Sequence, residues 1–313
     1  MSKLFKDLKK WQKRAICMHR LDGLSIGEVS EQLGVHYDAV YSFIKRHGST
    51  WTTAHLLVMR PLPTIFVIGD TQAKDSVDLE YMSWIGHYIA LQQPDIIVHI
   101  GDHWDMESLS MYDKGTLKAE GKRFHKDIES GIKGMQLLEA EINAVKNYKP
   151  RKVFCLGNHE ERIQRWVNAN QEFAGAIGYD MLGLEDMGWE VHDYLKPVKI
   201  HGINFVHYLA NNNTGKPLGG TAKSRLAKTR ESFVMGHQQT LDWCIEPMTL
   251  DSTRMQIGLI IGACYQHDEG YKGYQGNNHF RGACLLAECN DGSALPQPIS
   301  LTHMHKKYLE GKV

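Results

Sequence analysis

Three apolar runs in this chain stop at a glycine that is followed at once by an oxygen-donor side chain, and that repetition restricts the folds open to it. TIFVIG (64–69) leads into Asp70, Thr71 and Gln72; IIVHIG (96–101) leads into Asp102, His103, Trp104 and Asp105; RKVFCLG (151–157) leads into Asn158, His159 and Glu160. Short apolar runs bounded by glycine suit buried strands, and the stretch 79–92 between the first two has helical character. Residues 64–100 therefore read as a β-α-β unit of parallel sheet. Ligands of open α/β sheets bind beyond the carboxyl ends of the strands, so the three oxygen donors are expected to converge, with Asp102 as the hub.

Two later runs end in imidazoles. NFVH (204–207) delivers His207, and SFVMGHQQ (232–239) delivers His237, with Gln239 two residues on. Carboxylate, amide oxygen and imidazole together suit a divalent ion such as Mn²⁺, Zn²⁺ or Fe²⁺. Strand-and-loop patterning continues beyond Gly188, which suits a second sheet packed on the first.

With five strand ends in this order, residues 63–301 resemble the calcineurin-like metallophosphoesterases, whose blocks run D-x-H, GDxxD, GNH[ED], a lone His and GHxH. The resemblance implies an α/β fold, a β-sandwich flanked by helices, and hydrolysis of phosphate esters by two divalent ions that bridge a hydroxide. Carried over position by position, it implies Asp70, Gln72, Asp102 and Gln239 on one ion and Asp102, Asn158, His207 and His237 on the other. His159 would donate a proton to the leaving oxygen or stabilise the phosphoryl charge, and Asp105 would orient it.

Gln72 and Gln239 stand where the family has histidines, and both departures fall on the same ion. An amide oxygen is a harder and weaker ligand than imidazole, so Mn²⁺ is expected, with Mg²⁺ or Zn²⁺ as alternatives. Glu160 matches the protein phosphatases of the family rather than its repair nucleases. Met106 and Glu107, however, replace the Arg-Gly that follows GDxxD in those phosphatases.

Residues 1–48 read as a separate all-α unit. Leu4, Leu8, Trp11, Ala15 and Met18 recur at helical spacing over 4–21, and Gly23 ends that helix. Ser25 and Glu28 form a capping box for a second helix to Leu33, Gly34 turns the chain, and a third helix covers 37–47. This resembles a helix-turn-helix, whose later helix enters the major groove of DNA. Lys9, Lys10, Lys13, Arg14, Arg20, Lys45 and Arg46 offer phosphate partners. A packing or dimerisation module is the alternative. Residues 49–62 read as a connector, and 63–313 as the catalytic domain.

A DNA-reading module joined to phosphate-ester chemistry predicts a metal-dependent DNA phosphodiesterase. The alternatives are a phosphomonoesterase, or a DNA-binding regulator on a non-catalytic scaffold. Net charge is zero over 313 residues, so any basic surface must be local. No apolar run is long enough to span a membrane and the N-terminus lacks a signal peptide's apolar core, so a cytoplasmic protein without a membrane partner is expected. Six scattered cysteines without a CxxC predict neither disulfides nor structural zinc.

Four further stretches carry polar groups. Residues 211–217 nearly spell a P-loop, but Ala210 and Pro217 occupy positions that need Gly and Ser/Thr. The Gly-rich start of the following helix, with Lys223, Arg225, Lys228 and Arg230, is expected to grip a polyanion. Arg281 is expected to touch phosphate or to cap the sheet. His303 and His305 lie in a tail and are expected to face solvent.

Overall fold

The computed structural model describes residues 5–248, 251–269 and 273–312, and its chain divides into two units, 5–62 with 145–149, and 63–144 with 150–312. In the first unit the helix expected over 4–21 is interrupted. A 3₁₀ turn, Phe5–Asp7, precedes α1 (Lys10–Arg20), because Lys9 is extended and gives its N–H to Gln12 Oε1 at 3.0 Å. Leu4 lies outside the described residues. α2 (Ile26–Leu33) opens on the expected capping box: Ser25 N–H donates to Glu28 Oε2 (2.8 Å) and Glu28 N–H to Ser25 Oγ (3.3 Å). Gly34 closes it at φ +60°, the left-handed conformation that glycine adopts without steric cost.

α3 (Tyr37–His47) follows after a short turn. The segment read as a connector is not one throughout. It holds α4 (Thr53–Met59), capped by Thr52 Oγ1, which accepts from His55 N–H at 3.2 Å. Leu56 of that helix is fully buried in one core with Phe5, Ile16, Val29, Val40 and Phe43. A short apolar run with a threonine cap becomes helix when the neighbouring helices bury one of its faces.

The second unit is a sandwich of two sheets. β1 (Ile65–Ile68), β2 (Ile96–His99), β3 (Arg151–Cys155) and β4 (Glu190–His192) run parallel; α5 (Glu80–Gln92) follows β1, α6 (Phe124–Asn143) follows β2 and α7 (Glu161–Ala169) follows β3. The other sheet has the order β5 (Val198–Ile200), β6 (Ile203–Phe205), β7 (Phe233–Met235), β9 (Asp251–Ile260) and β8 (Asp242–Met248), with α8 (Ala222–Thr229) ahead of β7. After the short α9 (Gly273–Gly276), β10 (Gly282–Asn290) returns antiparallel beside β1. β11 (Ser293–Ser300) completes that sheet and α10 (Leu301–Lys312) closes the chain.

Alternation along the strands builds the core. Ile65 and Val67, Val98 and Ile100, and Val153 and Cys155 meet Phe205, Val234, Ile257 and Leu259 between the sheets. Their neighbours point the other way: Phe66 meets Tyr88 of α5, and His99 stacks on Phe154 at 4.7 Å.

A 3₁₀ turn (Leu117–Ala119) and Gly121 precede α6. β8 and β11 were not anticipated because Pro247, Pro296 and Pro298 lie in them; both are edge strands, where a residue without an N–H is tolerated. His303 and His305 belong to α10 rather than to a tail; His303 is exposed there, as expected, whereas His305 is half-buried. The His305 ring stacks on Trp84 at 3.8 Å and the His303 ring meets Tyr88 edge-on. No helix among the described residues is long and apolar enough to cross a membrane.

Candidate metal centre

The carboxyl ends of β1, β2, β3, β6 and β7 deliver Asp70, Asp102, Asn158, His207 and His237 to one rim. Close packing there explains the recurring glycine: a Cβ on Gly157 would sit 2.2 Å from Asp102 Oδ1, and one on Gly236 would sit 2.6 Å from Asp70 Oδ1. Two of the delivered residues, Asp102 (+53°) and His237 (+64°), and the two glutamines, Gln72 (+42°) and Gln239 (+59°), are non-glycine residues at positive φ. Such conformations cost energy and concentrate where a site imposes them.

One group of donors is assembled around His207. Its Nδ1 lies 2.9 Å from the Ile100 carbonyl, which fixes the ring, and its Nε2 lies 3.0 Å from Asn158 Oδ1 and 3.2 Å from Asp102 Oδ2. His237 completes the group: ligand atoms of Asp102, His207 and His237 all lie within 4.8 Å of one another. Burial, and then the neighbouring His207, push the His237 imidazole down to about 4, the neutral form that ligates. Burial works against charge on His207, but Asp102 lifts it to about 9, so without an ion a proton occupies the point where Nε2, Asn158 and Asp102 converge.

The second group lies around Asp70. Burial and the Asp102 charge push its carboxyl up to about 6, whereas His207 and His159 hold Asp102 ionised against its own burial. Two buried carboxylates this close share charge poorly unless a cation lies between them. Gln72 is 1 % exposed and its Oε1 is buried with no hydrogen-bond partner. A buried orphan oxygen on a residue that lines the cleft with Asp102 is the donor chemistry of a hard divalent ion. Gln239 is turned differently: its Nε2 donates to Asp70 Oδ2 at 3.1 Å and its Oε1 accepts from Tyr265 Oη at 3.0 Å. The residues present thus fit the ions that the resemblance implies, with Gln239 the exception in orientation.

His159 stands beside these donors and lines, with Gln72, Asp102, Asn158 and His237, a cleft of about 310 Å³. Its Nδ1 lies 2.9 Å from Asp105 Oδ1 and 2.8 Å from the Asp105 carbonyl, and its Nε2 lies 3.8 Å from Asp102 Oδ2. Burial opposes its charge, yet Asp102 and then Asp105 raise its pKa.

Two supports escaped the sequence reading. Glu160 is fully buried and accepts from the N–H groups of Asp102 (2.9 Å), His103 (2.7 Å), Trp104 (2.9 Å) and Gly157 (2.8 Å), so its carboxylate clamps the β2 and β3 turns together. Its place in the GNHE block was the available signal. Lys74 is 6 % exposed and bridges Asp105 (3.0 Å) to Glu269 (2.8 Å), which raise its pKa against the effect of burial. Nothing in its sequence context marks it.

The basic residues expected at phosphate are elsewhere. Lys223 is exposed and pairs with Glu246 at 2.8 Å. Arg225 is buried, donates to the Leu218 carbonyl (2.6 Å) and to Gln238 Oε1 (2.6 Å), and so stands behind the cleft wall rather than in it. The guanidinium of Arg281 caps the loop after β9 through the Gln266 and His267 carbonyls and Asp268, which answers to the capping role. In its place His279, with Gly276, Gln238 and Thr240, lines the cleft. In the helical unit Lys45 and Arg46 are exposed on α3, where the Tyr37 and Tyr41 rings stack 6.1 Å apart and the Lys45 ammonium lies 5.5 Å from the Tyr41 centroid.

Comparison with known families agrees with this geometry. The family model described as calcineurin-like phosphoesterase matches residues 63–261, which span every strand end named above. Among curated proteins none matches the chain significantly.

Proposed function

Because the chain belongs to the calcineurin-like phosphoesterase family, we propose that its metal-dependent hydrolysis of phosphoric esters is directed at the phosphodiester bonds of DNA, with Mn²⁺ as the preferred ion. When bound, the divalent ions would neutralise phosphate charge and lower the pKa of water. Asp70, Gln72, Asp102, Asn158, His207 and His237 are the residues that would hold them. His159, fixed by Asp105 through Nδ1, would hand a proton to the leaving oxygen from Nε2, where the Arg162 guanidinium stands at 3.3 Å. Burial opposes the Asp105 charge, but His159 itself and then Lys74 keep Asp105 ionised for that task.

The observation that carries the choice of a diester is the composition of the cleft. Among the described residues that line it there is no Lys or Arg, and the Arg162 guanidinium stands 3.3 Å from His159 Nε2 rather than in the lining. A monoester dianion is ordinarily met by such a cation, whereas a diester carries a single negative charge and two substituents that need room. DNA is favoured by α3, one face of which joins two stacked tyrosines to Lys45, with Arg46 exposed in the same last turn, groups that meet bases and phosphates.

The test is cleavage of labelled single- and double-stranded DNA by metal-stripped full-length protein refilled with Mn²⁺, Mg²⁺ or Zn²⁺, beside Asp102→Ala and His159→Ala. Mn²⁺-dependent cleavage lost in both variants is expected. Turnover of an aryl monoester with no DNA cleavage would move the function to phosphomonoesterase. DNA binding that persists without metal, and without turnover in any metal, would make the chain a binding protein.

A further inference from the structure

The two glutamines that replace histidines of the family pattern are not equivalent. Gln72 ends in a buried oxygen that no donor reaches. The Gln239 carboxamide is held at both ends: Tyr265 Oη donates to Oε1 at 3.0 Å, and Nε2 donates to Asp70 Oδ2 at 3.1 Å. Turning the amide over would set Oε1 against Asp70 Oδ2, two acceptors face to face at 3.1 Å. Tyr265 is fully buried, so water does not compete for its hydroxyl at Gln239. Asp70 is then addressed on both oxygens, by Gln239 Nε2 and by the backbone N–H of His237 at 3.1 Å.

We infer that Gln72 is an ion ligand whereas Gln239, locked by Tyr265, is a positioning residue that orients Asp70 without touching the ion. The ion position around Asp70 is then left with Asp70, Gln72 and the shared Asp102, all oxygen donors. The position around His207 has two imidazoles, a carboxylate and an amide oxygen. The two positions are unequal: the His207 position fills first, and the Asp70 position takes a hard ion that keeps several of its own waters. This rests on the metal-binding part of the proposed function and is independent of DNA as substrate.

The experiment is a Mn²⁺ titration of metal-stripped full-length protein without substrate, with free Mn²⁺ read by electron paramagnetic resonance, repeated with Co²⁺ by visible absorption. The wild type is expected to bind one equivalent roughly tenfold or more tightly than a second. Gln72→Leu is expected to weaken the second equivalent by roughly tenfold, and Gln239→Leu by less than about threefold. Gln239→His, which supplies an imidazole, is expected to tighten the second Co²⁺ and to add intensity to its spectrum.

Tyr265→Phe discriminates by sign. It frees the carboxamide to turn its oxygen inward, so the second equivalent binds more tightly; if Gln239 already ligated and Tyr265 merely anchored it, the second equivalent would weaken. Two equivalents filling together in the wild type, or Gln239→Leu costing as much as Gln72→Leu, would overturn the inference while leaving the metal centre intact. Absence of any bound equivalent would overturn the metal centre itself.

Discussion

In the helical unit the groups that would meet a partner stand in water: Tyr37 and Tyr41 are 49 % and 41 % exposed, and Lys45 and Arg46 are exposed on the same helix. In the catalytic unit the groups that would do chemistry are hidden, with Asp70 and His207 at 0 % and Asp102 at 2 %. A buried charge persists only where a partner holds it, so each side chain there is over-determined and each loss is large. Exposed cations are interchangeable and screened, so each contributes little. The sharpest check of that contrast is His159→Asn. Removing a positioned proton donor is expected to lower turnover by about 1000-fold, roughly 4 kcal/mol, with little change in KM. A loss under about tenfold in steady-state assays would place the proton donor elsewhere.

Next in size is Glu160→Ala. It leaves four backbone N–H groups at the centre without their acceptor, in a space too tight for ready rearrangement. A loss of about 4 kcal/mol in urea unfolding is expected, against under about 0.5 kcal/mol for an exposed residue of α3 such as Ser42→Ala. Equal effects at the two places would break the comparison.

The metal-free protein should also reveal its buried pair through pH. His207 is raised from 6.5 to about 9, so the stability contributed by its protonated form is complete below 6.5 and is lost as pH rises through about 9. The full difference is on the order of 3 kcal/mol. With Mn²⁺ the sign reverses over the same window, because a ligating imidazole must lose its proton and higher pH favours the ion. Thermal melts from pH 6.5 to 9, with chelator and with Mn²⁺, are expected to run in opposite directions. Parallel curves would mean that no ion takes the place of the His207 proton.

The same contrast explains what could be read in the sequence. Strand ends were legible because Gly-Asn and Gly-His mark sites where a Cβ would collide with a neighbouring donor, and Gly-Asp sites where it would collide with the backbone of an adjacent segment, a local constraint written in adjacent residues. Asp70, Asp102, Asn158, His207 and His237 therefore came together as expected. Lys74 and Tyr265 were not legible, because their roles depend on Glu269 and Gln239, far away in sequence or on another turn. Arg225 and Arg281 misled for the converse reason: charge in the sequence does not say whether a guanidinium reaches a ligand or satisfies carbonyls of its own fold. β8 and β11 were hidden by prolines that an edge strand tolerates. α4 was hidden because one buried leucine decides it.

The smallest expected effect tests the exposed side of the comparison. Lys45→Ala and Arg46→Ala lie in the last turn of α3, where cations also favour the helix C-terminus, so each should cost stability under about 0.5 kcal/mol. If α3 meets DNA, the pair should weaken binding by about tenfold near physiological salt and reduce the slope of log K against log salt by about 2, equally for unrelated sequences. Tyr41→Ala should then behave otherwise, lowering affinity while leaving the salt slope in place, because a ring that stacks on bases releases no counterion. Fluorescence anisotropy across a salt series separates the two. A slope untouched by the double change would remove DNA from α3 and leave the helical unit as a packing module. The metal centre would stand unaffected, since none of its ligands depends on a charge that water can replace.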